Sequence, residues 1–224
     1  MSVSTQIAKK KIFLLDDHPI VRQGLSQLVN EQADLSVCGV APDAASAFEA
    51  MDELSPDLLI LDISLDGPDG LDFLKRLRLR ENAPPVLVLS MHDESLYAER
   101  ALRAGAKGYI MKQVATESLL AAIRKILKGG IYVSDGMAAR MLHQFANRSG
   151  QTERSPLAEL SDRELEVFRL IGEGQGTREI AELLHVSMKT VESYQAHLKE
   201  KLCLRNSREL VQRAIHWVST NQFE

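Results

Sequence analysis

The chain has 224 residues, of which 45% are hydrophobic and 26% charged, a composition typical of a globular protein with one large or two small domains. Its formal net charge of −4 argues against binding nucleic acid through bulk positive charge, so such binding has to depend on one particular helix. Neither a signal peptide nor a membrane-spanning run is expected, which predicts a cytoplasmic protein without a membrane partner. The two cysteines, Cys38 and Cys203, lack metal-ligand spacing and are expected to be reduced.

From residue 11 to residue 129, short apolar runs alternate with longer stretches that have the apolar spacing of helices. The strand candidates are residues 12–15, 36–41, 58–61, 86–89 and 108–111. The helical stretches that follow them are residues 19–32, 44–53, 70–79, 94–104 and 116–128. Five βα units in series, with strands that are apolar throughout, predict an α/β domain: a five-stranded, parallel, doubly wound, flavodoxin-like sheet with helices on both faces.

Residues 130–156 break this alternation with glycine, serine, proline and scattered charges, and they are predicted to form a linker with at most one short helix, at 136–146. Residues 157–221 have the pattern of a small all-α domain of four helices. Ser161 and Glu164 form a capping box, Thr177 is expected to cap the second helix, and Ser187 the third. A tight turn at residues 185–186 makes the second and third helices a helix-turn-helix candidate.

Acidic residues follow two of the predicted strands. Asp16 and Asp17 end the first apolar run and Asp62 ends the third, so the three carboxylates are expected at one carboxyl edge of the sheet. Clustered carboxylates favour a hard cation such as Mg²⁺, beside which Asp62 could attack phosphorus. Ser90 and Lys112 end the fourth and fifth strands and could hold the phosphoryl oxygens.

Three runs carry a resemblance to the receiver domain of bacterial two-component response regulators: LLDDHPIVRQGL at 14–25, LDISLDGPDGL at 61–71 and AKGYIMK at 106–112. The resemblance implies that Asp62 is the phosphoacceptor. It also implies that Asp17 and Asp62 bind Mg²⁺ directly, that Asp16 binds it through water, and that the Ser64 backbone carbonyl is a further ligand.

The same resemblance implies a switch pair, in which the Ser90 hydroxyl moves to the phosphoryl group and the Tyr109 ring swings inward behind it. Ser64 and His92 lie two residues beyond Asp62 and Ser90, respectively. At these positions in receivers the side chains face the attacking water, so both are expected to tune the lifetime of the phosphoryl group.

In the third helix of the second domain, a spacing of 100° per residue puts Val191, Tyr194, Leu198 and Leu202 on one buried stripe. The opposite face, rich in small and polar residues, can approach base edges or phosphates in a major groove. Lys189, Ser193 and Ala196, flanked by Glu192, are expected to approach base edges. Thr190, Lys199 and, from the preceding helix, Arg178 are the predicted phosphate contacts.

The runs LSDRELEV at 160–167, EIAELL at 179–184 and VSMKTVESY at 186–194 resemble the LuxR-type helix-turn-helix, so the whole chain is similar to NarL/FixJ-family response regulators. This implies a sensor histidine kinase as phosphodonor, promoter DNA as target and a homodimer when phosphorylated. It implies no enzyme activity beyond the protein's own phosphotransfer and dephosphorylation. Cys203 occupies a common glycine position where positive φ is expected, and Tyr194 replaces a frequent histidine.

Two other functions fit parts of this pattern. One is a pseudo-receiver regulator that works without phosphorylation. The other is a phosphatase of the haloacid-dehalogenase type, which also uses an aspartate nucleophile and Mg²⁺. That family needs a second aspartate two residues after the nucleophile, and this chain has Ser64 there.

Overall fold

The computed structural model describes residues 8–65, 70–91, 94–147, 157 and 160–221. The chain divides into two compact units, which we call the first unit (residues 1–149) and the second unit (residues 150–224). No helix among the described residues is long and apolar enough to cross a membrane.

The first unit is built on a five-stranded parallel sheet with the strand order β2-β1-β3-β4-β5. The strands are β1 (Lys10–Leu15), β2 (Leu35–Ala41), β3 (Leu58–Leu61), β4 (Val86–Ser90) and β5 (Gly108–Met111). This is the flavodoxin-like order. The central strands are apolar throughout because helices cover both faces of the sheet; Ile12 to Leu15 and Leu58 to Leu61 are all buried. The predicted fold class is confirmed.

Helices follow every strand of the sheet. They are α1 (Pro19–Asn30), α2 (Ala44–Leu54), α3 (Gly70–Leu77), α4 (Glu94–Ala104) and α5 (Ala115–Leu127). Local chemistry explains their ends: Pro19 lies in the first turn of α1, and the Asp43 side chain caps α2 by accepting hydrogen bonds from the backbone of Ala45 and Ser46. A short 3-10 turn, Lys112–Val114, joins β5 to α5.

The chain remains attached to the sheet after α5. The Tyr132 backbone pairs alongside β5, donating to the Lys107 carbonyl and accepting from the Tyr109 N–H. A helix, α6 (Asp135–Asn147), follows; the Ser134 N–H before it donates to Glu94 Oε1 of α4 (2.9 Å), and Met137 is buried. The short helix predicted within the linker at 136–146 is therefore the 13-residue helix α6, and residues 131–147 lie in the first unit.

The second unit is helical in its described part. Its helices are α7 (Asp162–Gly172), α8 (Thr177–Leu183), α9 (Met188–Lys201) and α10 (Ser207–Asn221). Ser161 caps α7 in a full capping box with Glu164, and Ser187 caps α9, as expected. The cap of α8 was predicted wrongly: Thr177 is already the first helical residue, and the N-cap is Gly176, whose N–H donates to Glu179 Oε2.

Close helix contacts form the core of the second unit. A Cβ at Gly172 of α7 would lie 2.5 Å from the Ala214 carbonyl of α10, so only glycine allows the two backbones to approach this closely. The apolar spacing of Leu210, Val211, Ala214, Ile215 and Val218 predicts one buried side for α10, and this was partly wrong, because Val211 is 41% and Ile215 48% exposed. Helical spacing identifies an apolar stripe but not how far the neighbouring helix covers it.

Candidate metal centre and nucleic-acid interface

The sheet register brings the predicted acidic residues together. Leu15 of β1 pairs with Leu61 of β3, so the chain leaves both strands at the same edge. The Asp62 N–H donates to the Leu15 carbonyl at 2.8 Å, which places Asp62 next to Asp16. Asp16, Asp17, His18 and Asp62 each present one possible ligand atom, and these atoms all lie within 4.8 Å of one another.

Asp62 is held from both sides. Its Oδ1 accepts a hydrogen bond from the Ser64 N–H at 2.8 Å, and its Oδ2 accepts one from the Lys112 ammonium at 2.6 Å. The same ammonium lies 2.8 Å from Asp16 Oδ2, so Lys112 bridges two carboxylates. The Asp62 side chain is 0% exposed, while that of Lys112 is 10% exposed and covers it on the open side.

The electrostatics of the cluster are unbalanced. Burial raises the pKa of the Asp62 carboxyl, and the Asp16 carboxylate adds to this, although Lys112 acts in the opposite direction. Burial alone would lower the pKa of Lys112, but Asp62 and Asp16 outweigh it, so that pKa is raised. One ammonium thus bridges two of the three clustered carboxylates, and the site favours further positive charge.

The donor set fits a hard divalent cation. Carboxylate oxygens from Asp16, Asp17 and Asp62 are the ligand type that Mg²⁺ prefers. The Ser64 hydroxyl is buried beside them and has no hydrogen-bond partner among the described residues. Sequence reasoning omitted His18, whose Nδ1 lies 2.5 Å from Asp17 Oδ1; its position directly after two aspartates was the signal.

Two further predicted residues of this site, Ser90 and Tyr109, lie on the two strands next to β3 on that side of the sheet. Ser90 is the last residue of β4 and is completely buried. Tyr109, on the neighbouring strand β5, pairs with Val88 and is 1% exposed, so its ring lies inside the first unit. Residues 66–69 and 92–93, among them His92, lie outside the described residues.

The second candidate site is the surface of α9. Val191 and Leu198 are fully buried, while Tyr194 and Leu202 are partly buried, as expected for the inner stripe. The residues expected to face DNA have the following exposure: Lys189, Glu192, Ser193, Ala196 and Arg178 are exposed, and Thr190 and Lys199 are partly exposed. Their contacts with DNA stay predictions.

Two of these residues already have partners in the second unit. Arg178 pairs with Glu182 at 3.0 Å, and the Thr190 hydroxyl lies 2.8 Å from the Ser187 hydroxyl. Both contacts are at the surface, where such pairs are weak enough to exchange for a ligand. After α9, Cys203 has φ 54°, the positive value that was expected at this position.

Comparison with known proteins identifies two family models. Residues 12–124 match the response regulator receiver domain, and residues 158–214 match bacterial regulatory proteins of the luxR family. Oxygen regulatory protein NreC of Staphylococcus carnosus (strain TM300) is 39% identical over 211 residues, covering 92% of this chain and 96% of that protein.

Solved structures are similar as well. A LuxR-family two-component response regulator from Aurantimonas sp. SI85-9A1 is 33% identical with a TM-score of 0.57, covering 62% of this chain and 99% of that one. RcsB from Salmonella enterica serovar Typhimurium, bound to promoter rprA in the presence of the phosphomimetic BeF3-, is 25% identical with a TM-score of 0.57. That match covers 92% of this chain and 98% of the RcsB chain.

Proposed function

Because the chain belongs to the two-component response regulators, with a receiver domain followed by a LuxR-type DNA-binding domain, we propose that phosphorylation of Asp62 controls its binding to promoter DNA. The observation that carries this proposal is the position of Asp62, a buried carboxylate held by Lys112 and the Ser64 N–H beside two more carboxylates. A sensor histidine kinase is the expected phosphodonor.

The contacts of Asp62 suggest how phosphotransfer proceeds. One carboxylate oxygen attacks phosphorus, the new O–P bond forms, and the P–N bond to the donor histidine breaks; the imidazole nitrogen leaves with the electron pair and takes up a proton. Lys112 bonds to Asp62 Oδ2 before transfer and can pass to the incoming phosphoryl oxygens as their charge approaches. Asp16, Asp17, Asp62 and the Ser64 carbonyl would hold Mg²⁺, which supplies further positive charge for those oxygens.

The phosphodonor has to reach this edge of the sheet, and three exposed apolar side chains come shortly after strands that end there. They are Ile20 in the first turn of α1, Met91 after β4 and Val114 after β5, which are 84%, 57% and 46% exposed. Exposed apolar groups around a charged site favour a protein partner. We therefore assign these three side chains to the contact with the kinase.

Once formed, the phosphoryl group would attract the Ser90 hydroxyl, and the space that Ser90 leaves would be taken by Tyr109. Both residues are buried on neighbouring strands, so a shift of one changes the packing of the other. In this proposal α9 reads DNA, and two copies bind paired half-sites after phosphorylation. Pairing of two copies matters because the exposed face of α9 has few cations and includes the anionic Glu192, so its attraction to DNA phosphates is weak.

The test compares wild-type protein with Asp62→Asn and with Asp72→Asn, a matched change at an exposed aspartate of α3. Each full-length protein is incubated with acetyl phosphate and Mg²⁺, phosphoryl uptake is measured by mass spectrometry, and bound genomic DNA is recovered and quantified. We expect uptake and the resulting gain in DNA binding in the wild type and in Asp72→Asn only.

Two results would contradict the proposal. If Asp62→Asn bound DNA as tightly as phosphorylated wild type, Asp62 would not control binding. If the wild type took up no phosphoryl group from acetyl phosphate or from a kinase, the chain would be a pseudo-receiver.

A further inference from the structure

A buried carboxylate of α7 holds the end of the recognition helix α9. Glu164 is only 3% exposed. Its Oε2 accepts hydrogen bonds from the Ser161 N–H, at 2.7 Å, and from the ammonium of Lys201, the last residue of α9, also at 2.7 Å. Its Oε1 lies 3.8 Å from Nδ1 of His197, one turn earlier on α9. The capping residue of one helix thus also fixes another helix.

The link is strong for a contact between side chains. Burial alone would raise the pKa of Glu164, but the hydrogen bonds from Lys201 and Ser161 outweigh it, so its pKa is lowered and the carboxylate is ionised at neutral pH. A charge-assisted hydrogen bond to a buried carboxylate is stronger than a neutral one. Lys201 is still 38% exposed, so its aliphatic part reaches inward from a helix surface.

A second polar contact fixes α9 from its other flank. The Gln195 side chain donates to the Thr177 hydroxyl of α8 at 3.2 Å. The buried line of α9 runs through Val191 and Leu198. At 3.6 residues per turn, Gln195 lies about 50° to one side of that line and Lys201 about 70° to the other. The two contacts therefore resist rotation of α9 about its own axis in both directions.

Rotation of this helix has a direct consequence at the surface expected to face DNA. Lys189, Ser193 and Ala196 lie on the side of α9 opposite to Val191 and Leu198. With side-chain ends about 6 Å from the helix axis, a rotation of about 20° moves them by about 2 Å. That displacement exceeds the tolerance of a hydrogen bond to a base edge, but a flexible cation can still follow a phosphate.

We propose that Lys201, held by Glu164, is a positioning residue that sets the rotation of α9 and thereby the sequence specificity of DNA binding, and that it is not a phosphate contact. This inference rests on the proposed function, because it requires the second unit to bind DNA through α9. Lys199, two residues earlier and partly exposed on the other flank of the helix, is the predicted phosphate contact and provides a matched control.

The experiment uses the phosphorylated full-length protein and two DNA duplexes of equal length. One is the sequence that the wild type enriches from a random pool, and the other has random sequence. Dissociation constants are measured over a salt series for wild type, Lys201→Met, Lys199→Met, Glu164→Gln and the double variant Glu164→Gln/Lys201→Met. Emission of Trp217, the single tryptophan of the chain, verifies that the second unit is folded in each variant.

We expect Lys201→Met to weaken binding to the enriched duplex by about tenfold or more, with little change on random DNA and an unchanged salt dependence. Lys199→Met should weaken both duplexes alike and reduce the salt slope by about one. Glu164→Gln should resemble Lys201→Met, because the amide oxygen can still cap α7 while the bond to Lys201 is weakened. The double variant should lose little more than either single variant.

Glu164→Gln is the sharper variant, since it leaves the Lys201 charge in place. If Lys201 contacted phosphate, releasing it from Glu164 would leave binding equal or tighter on both duplexes. That result, or an equal loss on both duplexes with a smaller salt slope in Lys201→Met, would overturn the inference. The inference would also be overturned if Lys201→Met and Glu164→Gln bound both duplexes with the affinity of the wild type. A wild type that enriched no sequence would instead contradict the proposed function itself.

Discussion

Asp62 of the first unit and Glu164 of the second unit are both buried carboxylates with nearly the same partners. Each accepts one hydrogen bond from a backbone N–H, at 2.8 and 2.7 Å, and one from a lysine ammonium, at 2.6 and 2.7 Å. Yet the pKa of Asp62 is raised and that of Glu164 is lowered. Two such similar hydrogen-bonding arrangements do not by themselves account for the difference.

The balance between burial and the surrounding charge accounts for it: burial and Asp16 outweigh Lys112 at Asp62, whereas the hydrogen bonds outweigh burial at Glu164. Asp62 shares its lysine with Asp16 and lies beside Asp17, whereas Glu164 pairs with the Lys201 ammonium and has the His197 ring 3.8 Å away. The negative charge of Glu164 is paired with a lysine. Asp62 is repelled by neighbouring carboxylates, and a bound cation or transfer of a phosphoryl group would change that repulsion. A buried carboxylate that is repelled by neighbouring carboxylates is therefore the better candidate for a role in a reaction. A buried carboxylate whose charge is paired is the better candidate for a structural role.

The largest expected effect is on phosphoryl uptake after replacement of Lys112, the lysine bonded to Asp62. Lys112→Met removes the only ammonium bonded to Asp62 among the described contacts. We expect the rate of uptake from acetyl phosphate to fall by about 100-fold, the effect typical of losing one preorganised donor to a developing charge. Mass spectrometry over time measures the rate, with Lys107→Met, at an exposed lysine before β5, as the control. Uptake at the wild-type rate would mean that Lys112 is not part of the reaction.

The next largest effect is expected on the stability of the second unit when Glu164 loses its charge. Glu164→Gln should lower the free energy of unfolding of this unit by about 1–3 kcal/mol, because Lys201 loses its charged partner and a buried hydrogen bond weakens. Urea unfolding of the full chain, followed by Trp217 emission, reports on this unit, since Trp217 packs against Phe168 of its core. An unchanged unfolding midpoint would show that the contact does not stabilise the fold.

Removal of the charge of Asp62 is expected to change stability in the opposite direction, because Asp62 is repelled by neighbouring carboxylates. Without Mg²⁺, Asp62→Asn removes one of three neighbouring negative charges and should raise the free energy of unfolding of the first unit by about 1 kcal/mol. Far-ultraviolet ellipticity follows the unfolding of both units, and Trp217 emission separates out the second. Asp72→Asn, at an exposed site, serves as the control. A loss of stability in Asp62→Asn would end the contrast drawn between Asp62 and Glu164.

The smallest effect concerns a carboxylate at the surface. The bond from Arg124 lowers the pKa of Asp34 from 3.8 to about 2. For a carboxyl whose pKa is lowered by folding, the stabilisation is present above pH 4 and is lost as the pH falls through about 2. Since both side chains are largely exposed, it should amount to a few tenths of a kcal/mol. The difference in unfolding free energy between wild type and Asp34→Asn should therefore be small at pH 6 and vanish near pH 2.

Much of the fold and of the metal centre could be predicted from local patterns. The five strands begin or end within two residues of their predicted positions, and the carboxylates that follow β1 and β3 meet as expected. The errors fall where a neighbouring element decides the outcome. Val211 and Ile215 are exposed on a helix whose stripe includes the buried Leu210 and Ala214, because the adjoining helices cover only part of it.

The sequence by itself determined the parallel sheet, its acidic edge and the helix-turn-helix, since strand runs, helix caps and turn residues act within a few positions of one another. Only the tertiary structure decided that Tyr132 pairs alongside β5 and that Glu164 holds Lys201, 37 residues away. Periodicity tells which side of α9 is apolar, but its polar flank meets Glu164 only because of the angle at which α7 packs against α9. That angle depends on all of the side chains between the two helices.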